Sequence, residues 1–238
     1  MLHTTNKEIN IGVFGDSIGK GIVLRPDSNR YSTLKVNVHE VIGADESVVK
    51  IENYSMMGST ITKGLNIIER HFDKIKHYSN VLLEFGGNDC DYNWKEISEN
   101  PQGKFDCNTP INQFRQKYTE LIKLIRQQQG NPIMITLPPL VADRYFEWIS
   151  KKLNKENILK WLNGDINAIY RWQELYNTQV ALLASQLKVP LIDIRSAFLL
   201  QDDYRTFMCE DGIHPNEKGY SLIYKTIKEQ YKVNVLNI

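Results

Sequence analysis

Short apolar runs alternate with longer amphipathic ones along the chain, and the alternation predicts strands separated by helices. Ile9 to Phe14 (Ile-Asn-Ile-Gly-Val-Phe) reads as a first strand ending at Gly15. Ser28 stands where a helix cap would, ahead of Tyr31, Leu34, Val38, Val41 and Ile42 at helical spacing, with Gly43 to close the helix. Val48 to Tyr54 predicts a second strand, and Ile61, Leu65, Ile68, Phe72 and Ile75 mark the helix after it. Val81 to Phe85 is an apolar run interrupted only by Glu84, and two glycines follow it.

Residues 89 to 110 are polar, with Pro101-Gln-Gly103 and Asn108-Thr-Pro110, and read as an irregular excursion. A helix is expected from about Ile111 to Gln129, ended by Gly130. Ile133 to Leu137 is a fourth strand, stopped by Pro138-Pro139. Helical stretches over 144–162 and 165–187 lie on either side of Asn163-Gly164, and Leu191 to Ile194 is the fifth strand. A last helix begins at Pro215, a favoured first helical position, and runs to about Tyr231.

Strands buried on both faces and alternating with helices imply an α/β protein. The expected form is a three-layer α/β/α sandwich around a flavodoxin-like, five-stranded parallel sheet. No internal repeat, low-complexity tract or linker divides the chain, so residues 1–238 are expected to form one domain.

Composition narrows the function. The chain is 42% hydrophobic and 24% charged, ordinary globular values that exclude disorder and collagen-like repeats. A net charge of +1, from 29 Lys+Arg against 28 Asp+Glu, removes the electrostatic argument for a nucleic-acid partner. No run approaches the roughly 18 apolar residues of a membrane span. Met1 to Asn10 lacks the apolar centre of a signal peptide, which sets the expectation of a soluble, cytoplasmic protein. Cys90, Cys107 and Cys209 cannot all pair within one chain and match no zinc spacing. A Cys90–Cys107 bridge is open to the loop between them but disfavoured in a reducing compartment.

In open parallel sheets ligands sit beyond the carboxyl ends of the strands, so the strand exits are where chemistry is sought. The first exit reads Gly15-Asp16-Ser17-Ile18-Gly19-Lys20-Gly21. It is not a phosphate-binding loop: Gly15 and Gly19 are one residue too close, and Gly21 stands where a magnesium-binding hydroxyl belongs. It is either a glycine-rich turn with a capping serine or a turn that presents Ser17 as a nucleophile. His71 and His77, six residues apart, do not share a helix face and read as solvated. His214 differs, because it lies in Glu210-Asp-Gly-Ile-His-Pro-Asn216 with Asp211 three residues upstream. A carboxylate beside an imidazole fixes its tautomer and stabilises the imidazolium, although a capping Asp beside an unrelated His would read the same. Donors for an oxyanion are available at Gly86-Gly87-Asn88-Asp89 and, as the Gly58 backbone N–H, in Asn53-Tyr-Ser-Met-Met-Gly58.

Taken together these blocks resemble the SGNH hydrolases, or GDSL esterases/lipases. The matching residues are Gly15-Asp16-Ser17 (with Ile18 for the usual Leu), Gly58, Gly87-Asn88-Asp89 and Asp211-Gly-Ile-His214. The resemblance spans essentially the whole chain and implies ester hydrolysis with no metal and no cofactor. It implies Ser17 as nucleophile, His214 as base and Asp211 as its orienting acid. The Ser17 and Gly58 N–H groups and the Asn88 amide would be oxyanion donors, and Asp16 and Asn53 would support the site. Tyr92, Trp94 and Phe105 in the excursion, and Tyr145, Phe146, Trp148 and Trp161 after strand four, stand where they could wall the cleft. Aromatic walls favour a carbohydrate O-acetyl esterase, whereas Tyr145, Trp148, Ile149 and Leu153 also fit a packed helix face. A lysophospholipase or acyl-thioesterase is the alternative enzyme, and a non-catalytic binding module the alternative class.

Overall fold

The computed structural model describes residues 9–34 and 49–231. Its strands are β1 (Ile9–Gly15), β2 (Ile22–Arg25), β3 (Arg30–Thr33), β4 (Val49–Asn53), β5 (Asn80–Glu84), β6 (Pro132–Ile135) and β7 (Leu191–Ile192). Five of them form one sheet in the order β4-β1-β5-β6-β7, every neighbouring pair parallel. Strand β1 is central to the site because it is paired on both sides: Ile11 lies opposite Ile51 of β4 and Asn80 of β5.

Side chains alternate across each strand and feed two cores. On one face Val81 and Leu83 of β5 join Phe14 and Met134. They pack against α1 (Ile61–Arg70), α4 (Ile111–Gln127) and α7 (Asn167–Leu187) through Ile68, Tyr118 and Val180. On the other face Leu82, Ile11 and Ile135 meet α8 (Ile194–Leu199) and α9 (Glu217–Tyr231) through Phe198, Tyr220 and Ile223. A third cluster caps the carboxyl end of the sheet. It is built by α3 (Trp94–Glu99), α5 (Ala142–Ser150), α6 (Lys155–Trp161) and the start of α7 around Ile97, Phe146 and Ile158. The short α2 (Phe72–Ile75) follows α1 directly.

The structure departs from the sequence pattern in several places, most of them where a polar side chain satisfies backbone donors locally. Where a helix was expected from Ser28, β2 and β3 form an antiparallel hairpin with Leu24 opposite Tyr31. Asn29 takes the left-handed turn conformation (φ 52°), and Val38, Val41, Ile42 and Gly43 lie outside the described residues. The excursion contains α3, capped by Asn93, whose side chain accepts the Glu96 N–H. The expected helix over 144–162 breaks at residues 151–154, where Asn154 caps α6. Strand β7 stops at Ile192 because Asp193 turns the chain and caps α8. Pro215 is not the first residue of the last helix: it bridges to Met208, and Asn216 accepts the Gly219 N–H at 3.1 Å to open α9.

Candidate active site

The turn after β1 closes on itself: Lys20 N–H bonds to Asp16 C=O (3.1 Å) and Ile22 N–H to Ser17 C=O (2.9 Å). The Asp16 side chain tightens it by accepting the Ile18 N–H at 2.8 Å. Ser17 is thereby held at the carboxyl end of the sheet, 7% exposed.

His214 arrives from the other end of the chain. Met208 and Pro215 bridge at the base of its loop, and Cys209 N–H bonds to His214 C=O at 2.8 Å. Gly212 has φ +76°, and its carbonyl accepts the Val141 N–H at 2.7 Å, which docks the loop onto the start of α5. A Cβ on Gly212 would stand 2.5 Å from the Val141 carbonyl oxygen, so the close approach needs glycine.

These two loops place His214 Nε2 2.9 Å from Ser17 Oγ and His214 Nδ1 2.7 Å from Asp211 Oδ2. Asp211 accepts at Nδ1–H, so Nε2 is left as an acceptor facing the Ser17 hydroxyl. Asp211 is fully buried and also accepts the Ile213 and His214 N–H groups at Oδ1, both at 3.1 Å. Burial opposes its charge, but the His214 ring and these backbone donors outweigh burial and hold the carboxyl below its usual range. Tyr31 on β3 adds a bond to Asp211 Oδ2 at 3.1 Å. Burial first, then the Asp211 charge, push the Tyr31 phenol up, so it remains a donor. The hydrophobic pattern had placed Tyr31 on a helix face, and nothing local in the sequence links it to Asp211.

The expected oxyanion donors are partly gathered. Ser17 and Asn88 line one pocket with His214, whereas Gly58 lies in the turn after β4 (φ +72°), outside that lining. The Ser17 and Gly58 N–H groups have no acceptor among the described residues. Asn88 uses one amide N–H on Asp16 Oδ2 at 2.9 Å and keeps the second. Asn53 braces the turn that carries Ser17, donating to Gly19 C=O at 2.8 Å and accepting Ser55 N–H at 2.9 Å. Glu84, the one charge in the apolar run of β5, accepts the Asp16 and Gly19 N–H groups at Oε2 (3.4 and 3.2 Å).

The pocket has a free volume near 70 Å³. Its walls are Leu137, Pro138 and Leu140 after β6, Ile169, Trp172 and Gln173 of α7, with Trp94 and Tyr145. Asp91 fixes the last two by accepting Trp94 Nε1–H at 2.8 Å and Tyr145 O–H at 2.7 Å. Of the other aromatic candidates, Tyr92, Phe105 and Trp161 pack behind Trp94 and Trp172, with Tyr92–Trp172 centroids 4.8 Å apart. Phe146 is core, and Trp148 turns to Tyr31. Trp172 was not singled out in the sequence, because its helical spacing is that of a core residue.

All three cysteines are free: Cys90 donates to Gly87 C=O, and Cys107 meets the Tyr176 hydroxyl. Among the described residues no group of three His, Cys, Asp or Glu side chains could hold a metal ion, and no helix is long and apolar enough to cross a membrane. His71 packs on Tyr54 with ring centroids 4.3 Å apart.

Residues 13–222 match the model of the GDSL-like lipase/acylhydrolase family. The uncharacterized protein YpmR of Bacillus subtilis is 23% identical over 96% of this chain and 83% of its own length. The isoamyl acetate-hydrolyzing esterase of Saccharomyces cerevisiae is 26% identical over 63% of this chain and 56% of its own. A lipase/acylhydrolase from Enterococcus faecalis shares the fold with a TM-score of 0.65 at 21% identity, over 94% and 95% of the two chains. An acetylxylan esterase from Geobacillus stearothermophilus does so at 0.62 and 15% identity, over 94% of each.

Proposed function

Because the chain belongs to the GDSL-like lipase/acylhydrolase family, we propose that it is a metal-independent serine esterase that hydrolyses a short-chain carboxylic ester. The observation that carries this reading is the unbroken hydrogen-bond line from Ser17 Oγ through His214 to buried Asp211. In this mechanism His214 Nε2 takes the Ser17 proton as Oγ attacks the acyl carbon, and Asp211 stabilises the imidazolium that forms. The oxyanion is met by the Ser17 N–H and the free amide N–H of Asn88, with Gly58 N–H as the third donor. His214 then protonates the leaving alcohol, and water repeats the sequence to release the acid.

Pocket size supports a short acyl group. About 70 Å³ accommodates roughly five water-sized groups, enough for an acetyl or butyryl unit. Two relatives named for acetate esters, the yeast isoamyl acetate esterase and the acetylxylan esterase, support the same reading. Trp94, Tyr145 and Trp172 at the pocket wall suit a sugar ring as the alcohol, which favours a carbohydrate O-acetyl esterase.

Labelling and kinetics test this. A fluorophosphonate probe should label the protein at Ser17, and chelators should leave activity unchanged. Across p-nitrophenyl esters from acetate to palmitate, kcat/KM should fall steeply beyond butyrate, with acetylated xylo-oligosaccharides turned over. An absence of labelling with no turnover of any ester would make the protein a binding module. A rate that rises toward palmitate would overturn the short-acyl assignment.

A further inference from the structure

Two carboxyls lie in contact beneath the nucleophile turn. Glu84 and Asp16 are each 2% exposed, and their side chains hydrogen-bond to one another. Two buried carboxylates cannot share one hydrogen bond, because neither has a proton to give, so the contact requires that one of them be the acid.

The surrounding donors say which. Both Asp16 oxygens are served: Oδ1 by Ile18 N–H at 2.8 Å and Oδ2 by the Asn88 amide at 2.9 Å. Glu84 takes both of its backbone donors on Oε2, and its Oε1 is buried with no donor at all. A charged Glu84 would leave that buried oxygen without a protein donor, at a cost of several kcal/mol of the order usual for unpaired buried polar groups. A proton on Glu84 takes the charge off the bare oxygen and makes the carboxyl the donor that Asp16 accepts. We infer that Glu84 is a positioning acid: it keeps its proton in the folded protein and donates it to Asp16, which remains anionic and aims the Asn88 amide at the reacting carbonyl.

The electrostatics run the same way. Burial, then the neighbouring Asp16 charge, push Glu84 well up; burial raises Asp16 as well, but there the hydrogen bonds from Glu84, Ile18 N–H and Asn88 offset part of it. The other ionisable groups that face the pair are His214 from the C-terminal loop, Asp89 beside Asp16, Tyr118 from α4 and Tyr220 from α9. No lysine or arginine among the described residues bonds to either carboxyl. Glu84–Asp16–Asn88 is thus a second line of hydrogen bonds. It sets the oxyanion donor as Asp211–His214 sets the base.

The kinetic part of the test rests on the esterase reading; the spectroscopic part does not. Infrared difference spectra of wild type against Glu84→Gln at neutral pH should show the carbonyl stretch of a protonated carboxyl that the variant lacks. Gln has the shape and donor of a neutral Glu, so E84Q should keep kcat within about threefold. Glu84→Ala should lose roughly 30-fold or more in kcat, with KM nearly unchanged, because the loss falls on transition-state stabilisation. A spectrum unchanged by E84Q, or a fall in kcat as deep as that of E84A, overturns the assignment. If E84A does not fold, the spectrum and E84Q decide alone. If wild type turns over no ester, the esterase reading fails, while the spectrum still decides where the proton sits.

Discussion

Ser17 Oγ and His214 Nε2 lie 2.9 Å apart and share one proton in the proposed mechanism, so their losses should not add. Ser17→Ala and His214→Ala should each remove nearly all turnover, and the double variant should be little worse, as single-turnover rates would report. Asp211→Asn should also fall steeply, since an amide at Nδ1 can hold the ring in the wrong tautomer. Tyr31→Phe removes one donor from Asp211 and leaves the two backbone donors. It should lower kcat by roughly 3- to 10-fold, in keeping with about 1 kcal/mol for one hydrogen bond. Ser17, Asp211 and His214 were legible because each sits in a short motif whose spacing carries its meaning. Tyr31 and Glu84 were not, because their partners are 180 and 68 residues away and only the assembled sheet joins them.

The elements were legible where burial alone decides them and illegible where one side chain turns the chain. Strand β5 is buried along its whole length and β6 likewise, and both follow the apolar runs. The hairpin β2–β3 does not, since Tyr31 and Leu34 satisfy a helical period while Asn29 makes the turn. Asp193 shortened β7 in the same way by capping α8. The loop that carries Asp211 and His214 depends on Gly212, whose φ of +76° strains any residue with a Cβ and whose contact with Val141 leaves no room for one. Gly212→Ala should therefore cost on the order of 1–3 kcal/mol from backbone strain alone, read as a lower thermal midpoint. It should also separate His214 from Ser17, so activity should fall further than stability accounts for. Asp91→Asn leaves α3 and α5 in place but weakens the tie between Trp94 and Tyr145. It should raise KM for aromatic-stacking alcohols more than it lowers kcat for p-nitrophenyl acetate.

At the scale of the whole molecule, buried acids give stability an uneven dependence on pH. Burial pushes the Asp89 carboxyl up to about 7, against the donors from Thr109 and Ile61 N–H. In the unfolded chain an Asp titrates at about 3.9. Between those values the native state holds a proton the unfolded state has released, so this group's contribution falls as pH rises from about 4 to about 7. The slope is about 1.4 kcal/mol per pH unit for one proton. Asp211 has the opposite sign: its stabilisation is present above the unfolded value and is lost as acid protonates it through its lowered native one. Asp89→Asn should flatten the decline between pH 4 and 7 in urea titrations and leave the acid limb alone. The parallel sheet itself was legible from the alternation of runs, whereas these titrations depend on burial that no local pattern records. The span between Ser17 and His214, 197 residues, has a further meaning in time. At the ordinary pace of translation the ribosome releases the serine roughly 10 to 40 s before the histidine. A nascent or C-terminally clipped chain therefore carries a hydroxyl with no base beside it. In the proposed mechanism, competence therefore waits for the loop that carries His214.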